Sequence, residues 1–464
     1  MSRLPFILTF LLAAGPAAAQ PTPAPAPTPA PTPTPAPDPA PTTTPAEPAP
    51  PPAPAPDPNA TPPATTPAPS VASTPDLPAD KLAVEKSAPA KKSVLEVKPG
   101  GYVHFDSRRQ LNDTEAHEMT IRRLRFKLDG SATKYFKFRT LLDFAGSKLV
   151  VQDAWGELVI RPELSFRAGK DKSQFGIERL QSAAQLVFIE RAFPTQLSPN
   201  RDIGVWARGD VAGGLVHYAA GAVDGVADNA VIEGESDAVL EYNLHLLVSP
   251  FAQRKELGDL GIGAATTFGR THGSLASPGV TNLKSAGQAT IVKFATGATD
   301  DVTARADGYR TRFAGHAYYY NGPAGVLAEY VRDREPVLLM GTHTLLQHQA
   351  WQLASSVAVT PGDKPTYKGL KPTKPFDPDH GQWGAVEVAA RYSELRIDPD
   401  SFAVGVMSPA SSIETAREFT VGGNWYFNDY VKLQLDYSFT AFTGNGDATR
   451  TNEHLIATRL QASI

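Results

Sequence analysis

The sequence predicts an all-β protein, a transmembrane, antiparallel, up-and-down β-barrel of about 16 strands. The first observation is a period-two alternation of apolar and polar residues that begins at Gly101 and continues to the last residue, Ile464. The second is the length of the alternating segments, about ten residues, which suits a tilted strand crossing a bilayer. The third is that no stretch is long and apolar enough for a transmembrane helix, which excludes a helical membrane protein.

The N-terminal region has the composition of an export signal. Arg3 precedes an apolar run at residues 4–14, and three alanines at 17–19 form a small-residue cleavage site. We therefore predict a signal peptide at residues 1–19. The chain contains no cysteine, so disulfides and thiolate metal sites are excluded as sources of stability.

Residues 20–80 are rich in proline, alanine and threonine and have almost no apolar side chains to bury. They contain 25 of the 43 prolines. This composition predicts a disordered, partly polyproline II linker, which at about 3.1 Å per residue would reach roughly 180 Å when fully extended. Residues 81–96, with four lysines, form a short lead-in segment before a predicted barrel domain at 97–464.

Charge is balanced in the part of the chain that is predicted to fold. The whole chain carries a formal net charge of −4, and residues 81–464 contain 43 basic and 43 acidic residues. Any ion selectivity must therefore come from the positions of the charges and not from their sum. This balance also gives no support to nucleic-acid binding.

The segment RRLRFKLDG, residues 122–130, would have one apolar and one cationic face as a strand. Two sets of residues alternate along it: Leu124, Phe126 and Leu128 with Arg123, Arg125 and Lys127. A lipid-facing arginine or lysine near the bilayer midplane costs roughly 2–4 kcal/mol, so three of them would cost about 6–12 kcal/mol. We therefore predict that the apolar face contacts lipid and that the cations face an aqueous lumen.

Seventeen segments have the pattern of a strand, separated by clusters of Gly, Asn, Asp and Pro. They are residues 101–106, 121–129, 135–145, 150–161, 164–170, 203–208, 215–223, 238–248, 261–270, 289–295, 309–320, 326–333, 351–360, 386–395, 418–427, 431–442 and 454–464. Because an up-and-down barrel normally has an even number of strands, we expect at least one segment to be wrong. The weakest lie between Gly261 and Asp333.

Four motifs occur in a characteristic order and spacing: RRLRFKLDG, LLDFAGSKLVVQDAWGEL, RAGKDKSQFGIERLQSAAQLVFIERA and SPNRDIGVW. Together they resemble the first half of the phosphate-selective porin O and P family. Two further segments, WGAVEVAARYSEL and VGGNWYFNDYVKLQLDY, are similar to its second half. The resemblance covers about residues 97–464, and the block 121–206 is its specific part.

This resemblance implies a 16-stranded outer-membrane barrel, often a homotrimer of separate pores, whose third extracellular loop folds inward and forms a constriction. Residues 171–200 are similar to that loop, and the helical spacing of IERLQSAAQLVFIERAF fits a loop packed against a barrel wall. In the family, paired arginines at the start of the second strand help bind anions, and Arg122 and Arg123 match that pair. Two positions depart from the family: Arg125 replaces an aromatic residue, and the chain ends in Ile464 rather than in an aromatic residue.

Basic side chains on the wall and loop are the candidates for anion binding and pore lining. A guanidinium group replaces the hydration of phosphate or carboxylate with bidentate hydrogen bonds, and a series of them lowers the barrier for anions. The candidates are Arg122, Arg123, Arg125, Lys127, Lys137 and Arg139 on the wall, and Lys172, Arg179, Arg191 and Arg201 in or beside the loop. For each, the alternative is an ion pair with a nearby carboxylate that contributes only to wall structure.

The sequence therefore predicts a bacterial outer-membrane porin for passive diffusion of small anions such as phosphate. Its partners would be outer-membrane lipid and, as the resemblance implies, two further copies of the chain in a homotrimer. It predicts no catalytic residue, cofactor or metal, because the ten histidines lack metal-ligand spacing and neither a Walker sequence nor a nucleophile elbow is present. Two alternatives remain open. One is a barrel anchor whose proline-rich arm reaches periplasmic or cell-wall partners, and the other is a barrel enzyme with a site at its rim.

Overall fold

The computed structural model of the chain describes residues 95–112, 117–146, 148–231, 239–446 and 450–464. The predicted signal peptide, the proline-rich linker and most of the lead-in segment lie outside the described residues.

Sixteen strands form one closed antiparallel barrel, in which each strand pairs with the next and the last strand pairs with the first. The strands are β1 (Glu96–Gln110), β2 (His117–Ser131), β3 (Phe136–Asp143), β4 (Val150–Arg161), β5 (Leu164–Lys172), β6 (Arg201–Val211), β7 (Val216–Val223), β8 (Glu241–Val248), β9 (Asp259–His272), β10 (Arg305–Asn321), β11 (Ala324–Leu339), β12 (Thr342–Ala358), β13 (Ala385–Arg396), β14 (Thr415–Tyr426), β15 (Val431–Thr443) and β16 (Glu453–Ser463). The predicted barrel and its strand number are confirmed.

The seventeenth predicted strand, residues 289–295, is not part of the barrel. Its central residues Thr290–Val292 pair with Leu283–Lys284 in a separate two-stranded sheet, inside the long connection between β9 and β10. The alternation of apolar and polar residues indicates an extended backbone with one buried face, but it does not indicate which sheet the strand joins. A second small sheet pairs Phe376–Asp377 with Gln382–Trp383.

The two faces of β2 have the orientation that the alternation predicts. Leu124 and Phe126 are 42% and 44% exposed in the isolated chain, whereas Arg123 is 8% exposed. The apolar residues therefore form the outer surface of the barrel and the cation points inside.

A β-bulge interrupts this alternation at the start of the cationic segment. His104 of β1 pairs with Arg123, but the next residue, Phe105, pairs with Ile121. Arg122 is therefore the extra residue of the bulge, which re-aims its side chain and places two consecutive arginines on the inner side.

The connections differ between the two ends of the barrel. Short turns, such as 162–163 and 322–323, join strands at the end where β1 begins and β16 ends, and the long connections 173–200, 273–304 and 397–414 lie at the other end. Outer-membrane barrels have short turns at the periplasmic end. We therefore assign the end where β1 begins to the periplasm, where one long connection, 359–384, is an exception.

Helical structure is limited to short segments. The α-helices are α1 (Ile177–Leu180) and α2 (Asp400–Ala403), and the 3-10 helices are Ala183–Gln185, Phe193–Leu197, Lys255–Leu257, Asp300–Val302 and Pro378–His380. In the described part of the chain, no helix has the length and apolarity needed to cross a membrane. The helical spacing at residues 177–193 yields only one turn of α-helix, because backbone amides there donate to barrel side chains instead of to their own segment, as Ile177 does to Glu329 and Ile189 to Asp436.

The largest cluster of buried apolar side chains joins the long connections to the inner wall. Phe193 and Leu197 belong to it, together with Ile291, Met407 and the strand residue Leu395. Burial of these groups holds the three long connections against the inward-facing side chains of β10–β14.

Candidate pore and its basic lining

The main cavity of the barrel has a volume of about 940 Å³ and a predominantly basic lining. Among the described residues, twelve basic and five acidic side chains line it. The basic side chains are Arg122, Arg123, Arg125, Lys127, Arg139, Arg167, Lys172, Arg179, Arg191, Arg201, Arg208 and Lys284, and the acidic ones are Asp143, Asp153, Asp171, Glu190 and Glu418. The excess of cations gives the cavity a positive potential, although the folded chain as a whole is close to neutral.

Nine of the ten basic residues singled out in the sequence lie around this cavity. The tenth, Lys137, does not line it. Lys137 lies near the periplasmic end of β3, opposite Glu157, and its side chain is exposed.

Arg122 and Arg123 have different surroundings although they are adjacent. The Nε of Arg122 donates to the Glu190 carboxylate at 3.2 Å, and its Nη2 donates to the Gln288 side-chain oxygen at 3.4 Å. The guanidinium of Arg123 has only a ring nitrogen of His104, at 3.4 Å, as a side-chain partner. Within the described residues Arg123 therefore forms no direct ion pair with a carboxylate, although the charge of Glu190 is near enough to interact with it.

Lys172, at the end of β5, holds the start of the 173–200 loop. Its ammonium group donates to the carbonyl oxygens of Arg179, Leu180 and Gln181 at 2.7–3.0 Å. These carbonyls form the C-terminal end of α1, where a cation is favourable. The ammonium group of Lys172 is therefore satisfied by carbonyl dipoles and not by a carboxylate.

Arg191 is bound in the same manner on the other side of the loop. Its guanidinium donates to the carbonyl oxygens of Glu178, at 3.2 Å, and Gln181, at 2.9 Å. Burial lowers the pKa of Arg191, since removal from water disfavours its charged form.

Arg179 lies beside Arg191 and also has no carboxylate partner in the described part of the chain. It donates to the Thr195 carbonyl and to the side-chain oxygen of Asn229, the latter at 2.8 Å. Burial, followed by the charges of Arg191 and Arg201, lowers the pKa of Arg179 to about 9. A guanidinium crowded by other cations is stabilised by any anion that approaches.

The remaining predicted cations have carboxylate partners. Arg125 donates to Asp143 at 2.7 Å and Arg201 to Asp153 at 2.8 Å. Lys127 and Arg139 both contact Asp129, at 2.9 and 2.6 Å. These pairs orient the side chains along the wall and reduce their net charge, which matches the structural alternative stated for them.

Glu190 on the loop is surrounded by arginines. Its carboxylate lies 2.6 Å from Arg108 and 3.2 Å from Arg122. Burial alone would raise the pKa of Glu190, but the charges of Arg122, Arg123 and Arg108 lower it well below its ordinary value. The carboxylate therefore stays ionised and ties the loop to β1 and β2.

A second segment meets the 173–200 loop from the periplasmic side. The Tyr367 hydroxyl, in the 359–384 connection, donates to the Ile177 carbonyl, and the Gln181 amide donates to the Tyr367 carbonyl, both at 2.7 Å. The Tyr367 ring stacks on Tyr318 with centroids 4.7 Å apart. Tyr367 thereby fixes α1 and the carbonyls that Lys172 and Arg191 bind.

Three basic lining residues were not among the sequence-derived candidates: Arg167, Arg208 and Lys284. Arg167 and Arg208 lie in alternating segments, with Phe166 and Ala207 beside them on the outer face, so the alternation alone identifies them. Lys284 has no such signal, since it lies in the 273–304 connection.

No group of three or more potential metal ligands occurs among the residues that the structure describes. The lining of the cavity offers fixed positive charges and hydrogen-bond donors. Such groups bind anions reversibly and exchange one anion for another.

Comparison with known proteins agrees with this architecture. The family model of phosphate-selective porin O and P matches residues 98–464. Among curated proteins, no relative matches the chain.

Several solved outer-membrane structures have a similar fold. The outer membrane channel DcaP of Acinetobacter baumannii is 11% identical with a TM-score of 0.53, over 81% of this chain and 99% of that chain. OprB of Pseudomonas putida is 8% identical with a TM-score of 0.52, over 80% and 94%. OmpT of Vibrio cholerae in its trimer form is 12% identical with a TM-score of 0.50, over 80% and 99%.

The family model covers most of the chain, and the structures share its barrel. The family match indicates a channel rather than an enzyme. The chain therefore belongs to the phosphate-selective porin O and P family and forms a channel in the bacterial outer membrane.

Proposed function

We propose that the channel prefers anions and that phosphate-like solutes diffuse through it passively. The observation that carries this proposal is the set of four cavity cations without a carboxylate partner among the described residues, Arg123, Lys172, Arg179 and Arg191. Paired charges cancel for a passing ion, whereas these four retain a field of one sign.

The selectivity follows from the exchange of ligands around the anion. An anion that enters the cavity gives up water and accepts hydrogen bonds from guanidinium and ammonium groups instead. A cation that enters loses water without a compensating partner and is repelled. Since carbonyls and hydroxyls hold the cationic groups in place, little further ordering is needed when the anion binds.

The 173–200 loop is the element that would narrow the channel. Several of its groups bind inward-facing side chains on strands remote from β5 and β6, such as Glu178 with Gln352 and the Ile189 amide with Asp436. These contacts support a loop that crosses the lumen as a constriction, with Arg179 and Arg191 on it.

The proposal extends to the assembly and the surroundings of the channel. Porins with this fold include the trimer form of OmpT, and we extend a homotrimer of separate pores to this chain as part of the proposal. Outer-membrane lipid surrounds the apolar outer face, where Leu124 and Phe126 lie.

Planar-bilayer recording of the purified full chain tests the proposal. In a potassium chloride gradient, the zero-current potential of the wild type is expected to lie closer to the equilibrium potential of chloride than to that of potassium. Millimolar phosphate is expected to reduce the chloride current, because phosphate binds the unpaired cations more strongly than chloride does. A zero-current potential closer to the equilibrium potential of potassium would contradict the proposed anion preference. A chloride current that phosphate leaves unchanged would contradict phosphate binding.

A further inference from the structure

Four arginines lie close together on the outer face of the barrel, outside the pore. They are Arg332 and Arg334 on β11, Arg396 on β13 and Arg417 on β14, and we call them the outer arginine cluster. Their orientation follows from their neighbours, because Val331 and Asp333 are fully buried inside. The cluster is thus separate from the cavity that carries the proposed channel function.

Aromatic side chains lie immediately below the cluster. Tyr330 pairs with Trp351, and the Trp351 ring lies 5.2 Å from the Tyr392 ring. A belt of tyrosine and tryptophan marks the level of a membrane–water interface. Along β11, Arg332 and Arg334 follow Tyr330 in the direction of the extracellular end of the barrel. The cluster therefore lies at the headgroup level of the outer leaflet.

Two members of the cluster share one carboxylate. Arg396 and Arg417 both donate to Glu394, with Arg417 at 3.1 Å. Tyr392 also donates to Glu394, at 3.2 Å. One carboxylate therefore faces two guanidinium groups and leaves one positive charge uncompensated.

The other two members have no carboxylate partner in the described part of the chain. Arg332 donates to the side-chain oxygen of Gln347, and its Nε is buried without a hydrogen-bond partner there. The side chain of Arg334 has no hydrogen bond or ion pair within the same residues. Both guanidinium groups thus keep donors for an external acceptor.

A cleft of about 430 Å³ adjoins these groups. Arg334 and Arg396 line it, with Leu345 as an apolar contribution. Two carboxylates also line it and are engaged by the protein: Asp398 accepts from the Gln347 and Asp400 amides, and Glu414 accepts from the Asn445 amide group. Together with Glu394, three carboxylates lie near the four arginines. The arrangement therefore has one positive charge in excess, and an anionic ligand would neutralise it.

We propose that the outer arginine cluster binds the anionic headgroup, phosphate or carboxylate, of a lipid in the outer leaflet. An arginine on the lipid-facing side costs up to about 1 kcal/mol near the interface, against roughly 2–4 kcal/mol at the midplane, so this level tolerates the cluster. Guanidinium pairs bind phosphate or carboxylate bidentately. The acyl chains of such a lipid would lie on the apolar strip below, which includes Leu353 and Phe419.

Native mass spectrometry of the detergent-solubilised full chain, titrated with diphosphoryl lipid A, tests the proposal. The test variant is Arg332→Gln/Arg334→Gln. The matched control is Arg109→Gln. It removes one exposed arginine from the extracellular end of β1, a strand that carries no member of the cluster. Loss of charge-assisted hydrogen bonds is expected to weaken lipid A retention about tenfold or more in the double variant and to leave it unchanged in the control.

Equal retention by the wild type and the double variant would overturn the proposal. Displacement of lipid A by inorganic phosphate at the same concentration would also overturn it, because the site would then bind free phosphate rather than a lipid. If the double variant fails to fold, Arg334→Gln alone is expected to weaken retention. Single-channel conductance in planar bilayers is expected to be unchanged in both variants, which separates a failure of this proposal from a failure of the proposed channel function.

Discussion

Arginines line the inner wall in two regions, and their partners differ. In the first region, β2–β6 with the 173–200 loop, some cavity arginines pair with carboxylates, as Arg125 and Arg201 do. Three others, Arg123, Arg179 and Arg191, bind only carbonyls, an amide oxygen or a histidine of the described residues. In the second region, β10–β16, the inward arginines are almost fully buried and bind carboxylates. The difference lies in the partners and not in the residue type.

The second region is held by networks of ion pairs. Arg312 binds Asp228 and Glu241 at 2.8 and 3.0 Å, and Arg310 lies within 3.0 Å of three carboxylates. Arg459 forms two hydrogen bonds of 2.7 Å with Asp106. Charges that are neutralised in this way contribute to structure, so the comparison predicts which arginines affect folding and which affect ion flow.

The largest expected effect is on folding, in the second region. Replacing Arg312 with Ala leaves Glu241 buried without its partner and Asp228 with Arg310 alone, and we expect the free energy of unfolding to fall by about 3–5 kcal/mol. Urea unfolding followed by tryptophan fluorescence measures the change. The matched control is Arg396→Ala, because the Arg396 side chain is 55% exposed and a loss below about 1 kcal/mol is expected. Similar losses in both variants would remove the distinction between buried and exposed pairs.

The next effect concerns the boundary between the inner and outer faces. Phe126→Arg places a charge on the lipid-facing side, and we expect a cost of roughly 2–4 kcal/mol that impairs assembly. Heat-modifiable migration on a gel measures the folded fraction, and Lys127→Gln, on the inner face of the same strand, is the control. Normal assembly of Phe126→Arg together with failure of Lys127→Gln would reverse the assignment of the faces.

A smaller effect concerns Glu190, which joins the two regions. Its carboxylate binds Arg122, and its backbone carbonyl accepts from Arg391 at 2.9 Å. Because the folded-state pKa of Glu190 is lowered, its stabilisation is complete above the unfolded-state pKa, near 4.3, and is lost as the pH falls below that value.

The difference in unfolding free energy between wild type and Glu190→Gln measures this contribution. It is expected to be constant from pH 7 to about pH 5 and to shrink by about 1.4 kcal/mol per pH unit below pH 4.3. A difference that does not change between pH 5 and pH 3 would show that Glu190 is not an ionised partner of the arginines.

Much of the fold was predictable because a closed barrel in lipid requires apolar and polar residues to alternate strictly along each strand. The alternation identified sixteen barrel strands and the orientation of Arg123 and Phe126, since an error of one residue would expose charges to lipid. The orientation of Arg122 was not predictable from the alternation, because it depends on a β-bulge. The bulge is set by the register between β1 and β2, and the sequence of one strand does not specify that register.

The partners of the cavity cations were harder to predict. Lys172 and Arg191 bind carbonyls of a loop whose path depends on groups far away in sequence, such as Tyr367. Alternation gives the face on which a side chain lies but not its neighbours across the lumen. For that reason the sequence could not separate Arg123, which lacks a carboxylate in the described part of the chain, from Arg125, which has Asp143.

The most direct test of the central claim is the zero-current potential of Arg123→Gln/Arg191→Gln in a potassium chloride gradient. A unit charge about 6 Å from a passing ion contributes roughly 0.7 kcal/mol in water, favourable for an anion and unfavourable for a cation. Each substitution is therefore expected to change the anion-to-cation permeability ratio by about 1.4 kcal/mol, a fall of about tenfold. Lys137→Gln removes a charge from the same wall but outside the cavity, and it is expected to leave the ratio unchanged. A double variant as anion-selective as the wild type, or an equal loss in Lys137→Gln, would contradict the claim that the unpaired cations determine selectivity.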